Sequence, residues 1–416
     1  MKVLVFTSLY PNSIWPHHGV FVKERMTQFA RLEGCNVKVV APVPYFPPVK
    51  ITPRWHFSQI PRCESIEGIT VYHPRYFMTP KVGMSFYGLT MFLSVLRTVA
   101  KIQQDFSFDL IDAHYVYPDG LAAVLLGQFF KRPVVVSARG SDINQFSTFP
   151  PIRRLLQYTL RRSNKIIAVC QALKDAMMQL GIQEEKISVI PNGVDPHKFH
   201  PFPKEEARRK LSLPQNKRII LSVGGLIPRK GVDLLIKALK ILFEESHERD
   251  LLLVIVGDGP SHSNLRALTA SLKLENSVHF AGVVAHHTLY HWYNAADLFC
   301  LASSREGWAN VLLESLACGT PVVATDVWGT REVVCSDQIG FLTKRDEREI
   351  AMTLARAFHQ QWDTQAIIRY AREHTWSQVA YSVLNVFESA LSKSNIILSE
   401  QADSIQDTAR ELSRSR

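Results

Sequence analysis

Cysteine is sparse in this chain of 416 residues: six in all (Cys35, Cys63, Cys170, Cys300, Cys318, Cys335), far apart, with no C-x-x-C pair. That spacing fits neither a disulfide scaffold nor a zinc knuckle, and it suits a reducing compartment. Long apolar runs are also lacking. No stretch reaches the ~18 uncharged apolar residues that a spanning helix needs; the nearest, Val82–Val99, is broken by Arg97. The opening Met1-Lys2-Val3-Leu4-Val5-Phe6 reads as a strand that starts at once, so no signal peptide is expected. There is no internal repeat and no low-complexity tract. Neither the G-x-x-x-x-G-K-[ST] phosphate loop nor a Ser/His/Asp triad with a nucleophile elbow is present. The expected setting is the cytoplasm, with at most a peripheral attachment to the inner face of the cytoplasmic membrane.

What is present describes a folded protein. Hydrophobic residues make up 46% and charged residues 21%, which argues against disorder. At roughly 150 residues per domain the length allows two or three domains. The formal charge is +10, from 48 basic and 38 acidic side chains, but it is unevenly spread. Residues 1–195 carry 22 basic and 13 acidic groups, whereas residues 196–416 carry 26 and 25. The excess therefore belongs to the first half.

Short β-branched runs alternate with longer amphipathic stretches, the pattern of βαβ units around a parallel sheet. Val3–Thr7, Val37–Ala41, Leu110–His114, Val134–Ser137 and Ile166–Val169 read as central strands, apolar on both faces. Val20–Glu33, Ser85–Gln103, Leu121–Phe130 and Ile152–Arg162 read as helices between them. The pattern then restarts. Arg218–Val223, Leu252–Val256, Val278–Phe280, Leu298–Leu301 and Pro321–Ala324 read as strands, and Val232–Phe243, Ser263–Leu272, Leu289–Asn294 and Val311–Ala317 as helices. The turn cluster Pro191-Asn192-Gly193-Val194-Asp195, followed by three prolines, separates the two series. The expectation is an α/β protein of two tandem doubly wound, Rossmann-like domains, 1–195 and 196–376, facing a central cleft. A helix over 377–391 should return to the first domain, and 392–416 should form a polar, disordered tail. In such sheets ligands bind outside the carboxyl ends of the strands.

Three loops of the second half stand out. Gly224-Gly225-Leu226-Ile227-Pro228-Arg229-Lys230-Gly231 joins a strand to a helix. It is either an anion site, with glycines close to the ligand and two cations beside a helix start, or a turn with a solvated Arg-Lys pair. Gly257-Asp258-Gly259-Pro260 is another strand-ending turn, weak evidence on its own. Ser303–Glu314 places Glu306 in a loop and Glu314 eight residues on, inside a helix among Val311, Leu312, Leu313 and Leu316. Two such carboxylates can bind separated sets of hydroxyls, with the backbone N–H groups at the helix start between them for phosphate. The other reading is an N-cap acid and a solvated glutamate.

Glu306–Glu314, continuing through Gly319-Thr320-Pro321, resembles the E-x₇-E region of the retaining GT-B glycosyltransferases, of the group-1, family-4 class. Further segments match in order: Gly19-Val20-Phe21-Val22, Ala138-Arg139-Gly140-Ser141-Asp142, Ile190–Asp195, Gly224–Gly231 and Asp297-Leu298-Phe299. The resemblance spans residues 2 to 391. It implies a nucleotide-sugar donor, a glycan or lipid-linked acceptor, front-face transfer with retention, and no metal or other cofactor. It also implies roles. Lys230, helped by Arg229, would neutralise the donor diphosphate; Glu306 would hold hydroxyls of the transferred sugar and Glu314 those of the ribose. Gly19, Gly224, Gly225 and Gly257 would line the donor, backbone at Ala309, Asn310 and Val311 would face its phosphates, and His114, Arg139 and Asp142 would line the acceptor side.

The chain departs from the family in two places. The arginine expected five positions before Lys230 is Gly225, with Arg229 as its substitute, and the histidine of the family's HGsD loop is Arg139. A guanidinium cannot act as a base at neutral pH, so Arg139 suits an anion or hydroxyl instead. His114 is a cleft residue or a hydrogen-bonded packing histidine. His286-His287-x-x-x-His291 lacks an acid or cysteine to complete a metal set. Arg154, Tyr158, Arg161 and Lys165 recur at helical spacing beside an apolar segment at Ser85–Gln103. That combination is a solvated face or, as expected here, contact with an anionic membrane surface. No nucleic-acid module accompanies it. A GT-B nucleotide-sugar epimerase and a non-catalytic nucleotide-sugar-binding or membrane scaffold protein are the alternatives to transfer.

Overall fold

A computed structural model of the chain describes residues 1–50, 53–79, 83–245 and 250–392. The expected polar tail beyond the last helix lies outside the described residues. The chain divides into two compact units, Met1–Pro191 with the residues from Ser377 onward, and Asn192–Trp376. The boundary expected after Asp195 thus falls four residues earlier. The reason is local pairing: the Val194 N–H donates to His374 O at 2.8 Å, the Trp376 N–H donates to Val194 O at 3.2 Å, and the Asn192 amide donates to Asn310 at 3.0 Å. These contacts tie residues 192–195 to the second unit.

The first unit is built on an eight-stranded sheet in the order Ile187–Val189, Lys165–Ala168, Val134–Ala138, Leu110–His114, Lys2–Phe6, Asn36–Val40, Ile69–Tyr72, Cys63–Ile66. All neighbours pair in parallel except the last two, an edge hairpin around Glu67-Gly68. Leu110–His114 and Val134–Ala138 are buried at every residue, as strands covered by helices on both faces must be. The helix over 376–392 leaves the second unit at its first residue. Its Phe387 then meets Phe29 of the helix Val20–Ala30 edge-on, with ring centroids 5.2 Å apart.

The second unit carries six parallel strands in the order Val278–Gly282, Leu251–Val256, Arg218–Val223, Leu298–Leu301, Val322–Thr325, Gly340–Thr343. Ile220, Leu253 and Ile255 of the sheet, Leu239 of the helix Val232–Glu245 and Ile350 and Leu354 of the helix Glu347–His359 form one core. Asp346 caps the latter helix by accepting from the N–H groups of Arg348 and Glu349. Among the parallel strands of each unit the order reverses once. The reversal lies between Lys2–Phe6 and Leu110–His114 in the first, and between Arg218–Val223 and Leu298–Leu301 in the second. Neighbouring strands there send their connections away in opposite directions, which opens a crevice at their carboxyl ends.

Two of the loops at this edge of the second unit are stitched together by backbone. The Gly224 N–H donates to Val256 O at 2.9 Å and the Leu226 N–H to Asp258 O at 3.0 Å. Gly257 has φ +132°, and a Cβ there would lie 2.0 Å from the carbonyl oxygen of Gly224. Gly257→Ala therefore combines a backbone strain of ~1–3 kcal/mol with a clash against main chain. It is expected to lower the stability of this unit by at least ~2 kcal/mol, read as a fall in its urea midpoint, while a control Gly282→Ala, with nothing within 4 Å of the added carbon, loses less.

Candidate functional site

The second unit's crevice gathers groups from both strands that flank it. The loop after Arg218–Val223 ends in a single 3₁₀ turn, Pro228–Lys230, which carries Arg229 and Lys230. The loop after Leu298–Leu301 carries Ser303 and Glu306. Lys230 Nζ lies 2.6 Å from Glu306 Oε1, Arg229 3.3 Å from the same oxygen, and the Ser303 hydroxyl donates to it at 2.7 Å. Two further bonds lock this meeting: the Arg229 guanidinium donates to Arg305 O at 2.7 Å, and the Ser304 N–H donates to Arg229 O at 2.8 Å. Glu306 is only 9% exposed. Burial raises its pKa, but the attraction of Lys230 and Arg229, with the hydrogen bonds from Lys230 and Ser303, outweighs burial and holds the carboxyl below its ordinary value.

Glu314 projects from the helix Asn310–Ala317. Tyr293 donates to its Oε2 at 2.8 Å, and His286 Nε2 lies 3.4 Å from its Oε1. The helix begins without a side-chain cap at Ala309, so the N–H groups of Asn310 and Val311 are not claimed by one. Gly224, Gly225 and Gly257 belong to the stitched loops described above. Gly225 is exposed, and a Cβ there would meet nothing nearer than Asp258 O at 3.9 Å.

In the first unit, the crevice is walled by a buried polar network. Asp112 and His114 alternate along one strand and so share a face; both are fully buried. The Arg25 guanidinium donates to Asp112 at 3.1 and 3.2 Å and to the Ser137 hydroxyl at 2.9 Å. His114 is held neutral: burial pushes its pKa down to about 3, the attraction of Asp112 opposes the shift, and Arg139 and Arg25 reinforce it. Its Nε2–H then donates to Asp112 at 2.9 Å and its Nδ1 accepts from Arg139. Both ring nitrogens are engaged, and the imidazole serves to seat the Arg139 guanidinium, whose centre stands 5.2 Å over the Phe21 ring. Asp142 accepts from the N–H groups of Gly140 at 2.8 Å, Val116 at 2.9 Å and Arg139 at 3.1 Å, joining the loops after two strands. Gly19 opens the helix Val20–Ala30 with φ +66°, and a Cβ there would lie 2.2 Å from Leu9 O.

The sequence places Lys230, Arg229 and Glu306 in separate motifs, and the fold brings them to one oxygen. Ser303, Arg25 and Asp119 escape a sequence reading. Asp119 is fully buried and accepts from both the N–H and the hydroxyl of Ser8, at the first unit's crevice. Arg25 and Asp112 had one usable signal: a charge inside an apolar strand or helix face needs a partner. Among the described residues, no three His, Cys, Asp or Glu side chains converge as a metal-ligand set. His286 turns to Glu314, while His291 meets Phe202 edge-on and packs at a tilt against Tyr290.

Comparisons with known proteins follow this geometry. The family model "Glycosyl transferases group 1" matches residues 203–374, and "Glycosyltransferase Family 4" matches residues 19–198. The Bacillus subtilis (strain 168) protein named "Putative teichuronic acid biosynthesis glycosyltransferase TuaC" is 30% identical over 368 residues, 87% of this chain and 90% of that one. A D-inositol 3-phosphate glycosyltransferase of Kineococcus radiotolerans is 30% identical over 343 residues, covering 77% and 75%. Among solved structures, sucrose-phosphate synthase from Thermosynechococcus elongatus superposes with a TM-score of 0.75 at 18% identity, over 94% of this chain and 99% of that one. Anabaena Alr3699/HepE, in complex with UDP, gives 0.71 at 22% identity over 94% and 100%. At these identities the structural likeness shows a common fold, the two Rossmann-like domains of GT-B.

Asp119 yields a pH prediction. Burial raises its pKa from 3.8 to about 7, against the lowering effect of its bonds from Ser8. Between those values the folded chain keeps a proton that the unfolded chain releases, so this group's contribution to stability is full at low pH and declines as pH rises toward 7. Asp119→Asn removes the decline. The melting temperature of the variant minus that of the wild type should rise steadily from about pH 4 to 7; a flat difference would refute the assignment.

Proposed function

Because the chain belongs to the group-1 glycosyltransferases of the GT-B fold, we propose that it moves a sugar from a nucleotide-sugar donor to a glycan or lipid-linked acceptor, with retention of anomeric configuration, in cell-envelope polysaccharide or glycolipid synthesis. The observation that carries this reading is the convergence of Lys230, Arg229 and Ser303 on the Glu306 carboxylate at the strand-order reversal. The name of the B. subtilis relative, and the UDP held by the Anabaena protein, support the reaction class and the donor class.

In the proposed donor complex the diphosphate takes up the charge of Lys230 and Arg229. As the bond from the anomeric carbon to the diphosphate breaks, negative charge grows on the leaving oxygen, and cations already positioned there stabilise it without reorganising. The acceptor hydroxyl attacks from the same face. Its proton passes to the departing phosphate, so no protein base and no covalent intermediate is required. Glu306 stays ionised and binds sugar hydroxyls beside the positive charge that develops at the anomeric carbon. Glu314, oriented by Tyr293, takes the ribose hydroxyls, and the N–H groups of Asn310 and Val311 meet phosphate oxygens. Neutralisation by Lys230 and Arg229 makes a metal unnecessary in this scheme.

The first unit is assigned the acceptor, with Arg139 binding an anionic or hydroxyl group. Its basic helix Pro150–Arg162, which leaves Arg153, Arg154, Arg161 and Arg162 exposed, is assigned to an anionic membrane surface.

Lys230→Ala should lower kcat by ~10²–10³-fold, as for the loss of one preorganised oxyanion partner, in an assay of nucleotide release with UDP-, GDP- and ADP-sugars. Nuclear magnetic resonance of the product should show the donor's anomeric configuration; inversion would refute the front-face scheme. Absence of nucleotide release from every donor, with acceptor glycans supplied, would favour a binding protein. Gly225→Arg restores a cation where there is room for one. A new charged hydrogen bond contributes ~1.5–3 kcal/mol, so nucleotide affinity measured by calorimetry should rise at least ~tenfold.

A further inference from the structure

A second cavity, of about 700 Å³, lies within the first unit between the helix Tyr87–Asp105 and the edge hairpin. Arg62, Arg75, Arg97 and Lys101 line it, against the single carboxylate of Asp105. Arg75 is held by two backbone carbonyls, those of His73 and Ile60, which leaves its charge without a counter-ion among the described residues. Burial and the nearby Arg62 both push its pKa down. Among the described residues, the side chains of Arg62, Arg97 and Lys101 enter no ion pair and no hydrogen bond. Four like charges facing one cavity repel one another until an anion enters it.

The helix says which anion. Leu89, Leu93, Arg97 and Lys101 follow one another at intervals of four, so they form a single ridge, apolar at its N-terminal half and cationic at its C-terminal half. The apolar half is bare: Phe86 is 65% exposed, Leu89 45%, Leu93 58% and the neighbouring Phe77 63%. Solvated folded proteins seldom leave large apolar side chains contiguous in this way. From Leu93 to Lys101 the ridge climbs roughly 12 Å. A ligand that satisfies both halves carries a phosphate at one end and a hydrocarbon chain next to it.

We propose that this cavity binds the phosphate of an anionic lipid, with Arg62, Arg75, Arg97 and Lys101 around the headgroup and Phe77, Phe86, Leu89 and Leu93 in contact with the acyl region. The proposal deepens the assignment of the first unit to an anionic membrane surface, and rests on it. It moves the specific contact away from the basic helix Pro150–Arg162, whose arginines do not line the cavity.

Cys63 lines the same cavity and is exposed, so it reports occupancy. The full chain would carry Cys335→Ser, which removes the other exposed cysteine. The rate of Cys63 modification by N-ethylmaleimide is then followed with vesicles of phosphatidylcholine, with vesicles containing phosphatidylglycerol, and with free glycerol 3-phosphate. Phosphatidylglycerol vesicles at ten times their half-saturating concentration should slow the reaction on the order of tenfold, and phosphatidylcholine should not. Arg97→Gln with Lys101→Gln should abolish the protection, and Lys344→Gln with Arg348→Gln, two exposed cations of the second unit, should leave it. Equal protection by glycerol 3-phosphate at matched phosphate would overturn the lipid assignment in favour of a free-anion site. Vesicles that bind by sedimentation yet leave Cys63 unprotected would overturn the cavity while sparing the membrane assignment. Vesicles that do not bind at all would overturn both. The thermal shift produced by nucleotide-sugars in the same preparation reads the glycosyl-transfer proposal separately.

Discussion

The carboxylate of Glu306 ties together two loops whose lysine and acid are 76 positions apart in sequence. Burying a carboxylate costs several kcal/mol unless partners surround it, and here one oxygen receives Lys230, Arg229 and Ser303. Removing either side of this pair would leave a buried charge uncompensated, so each loop specifies the shape of the other. The strand-order reversal makes the meeting possible, because only there do the carboxyl ends of two adjacent strands release their chains in opposite directions. The rest of the second unit holds those two strand ends in register. Its core of aliphatic residues and the backbone stitching at Gly224 and Gly257 fix the site before any ligand arrives.

The first unit solves the same problem differently. Its buried acid, Asp112, is satisfied by Arg25 and His114, and the neutral imidazole passes the orientation on to Arg139. Arg139 stands in the loop after the next strand, and the strand histidine beneath supplies the acceptor nitrogen on which its guanidinium rests. The basic excess of residues 1–195 is concentrated elsewhere, on the helix Pro150–Arg162 and around the cavity beside the helix Tyr87–Asp105. A net charge alone could not have separated these two places; the second gathers four cations around one cavity beside the exposed Leu89 and Leu93.

Much of this architecture was legible in the sequence. Leu110–His114, Val134–Ala138 and Leu251–Val256 announce themselves as apolar runs, because strands covered on both faces cannot alternate. Glu314 stood out as an acid in an apolar helix. Other elements carried weaker marks. Cys63–Ile66 alternates exposure at a sheet edge, Ile187–Val189 has three residues, and Gly340–Thr343 opens on a glycine. The helices Glu347–His359 and Thr364–Arg372 are held by Asp346 and Asp363 caps that also read as turn residues. Arg25, Asp119 and Ser303 were missed for another reason: Arg25 and Asp119 find their partners 87 and 111 positions away, which no local pattern names even where a charge on an apolar face marks the need for one. Ser303 is near Glu306 in sequence, but a serine before a glycine-rich loop has many uses.

The shared carboxylate can be tested directly through two ligands that differ only in the sugar. On the proposed scheme Glu306 neutralises Lys230 in the free protein, a nucleoside diphosphate competes with it for that lysine, and a nucleotide-sugar gains the carboxylate as a hydroxyl acceptor. Calorimetry of both ligands on the wild type and on Glu306→Gln separates these effects. The account predicts opposite signs: the variant binds the nucleoside diphosphate more tightly and the nucleotide-sugar more weakly. Equal losses for both ligands, or no change in either, would contradict it.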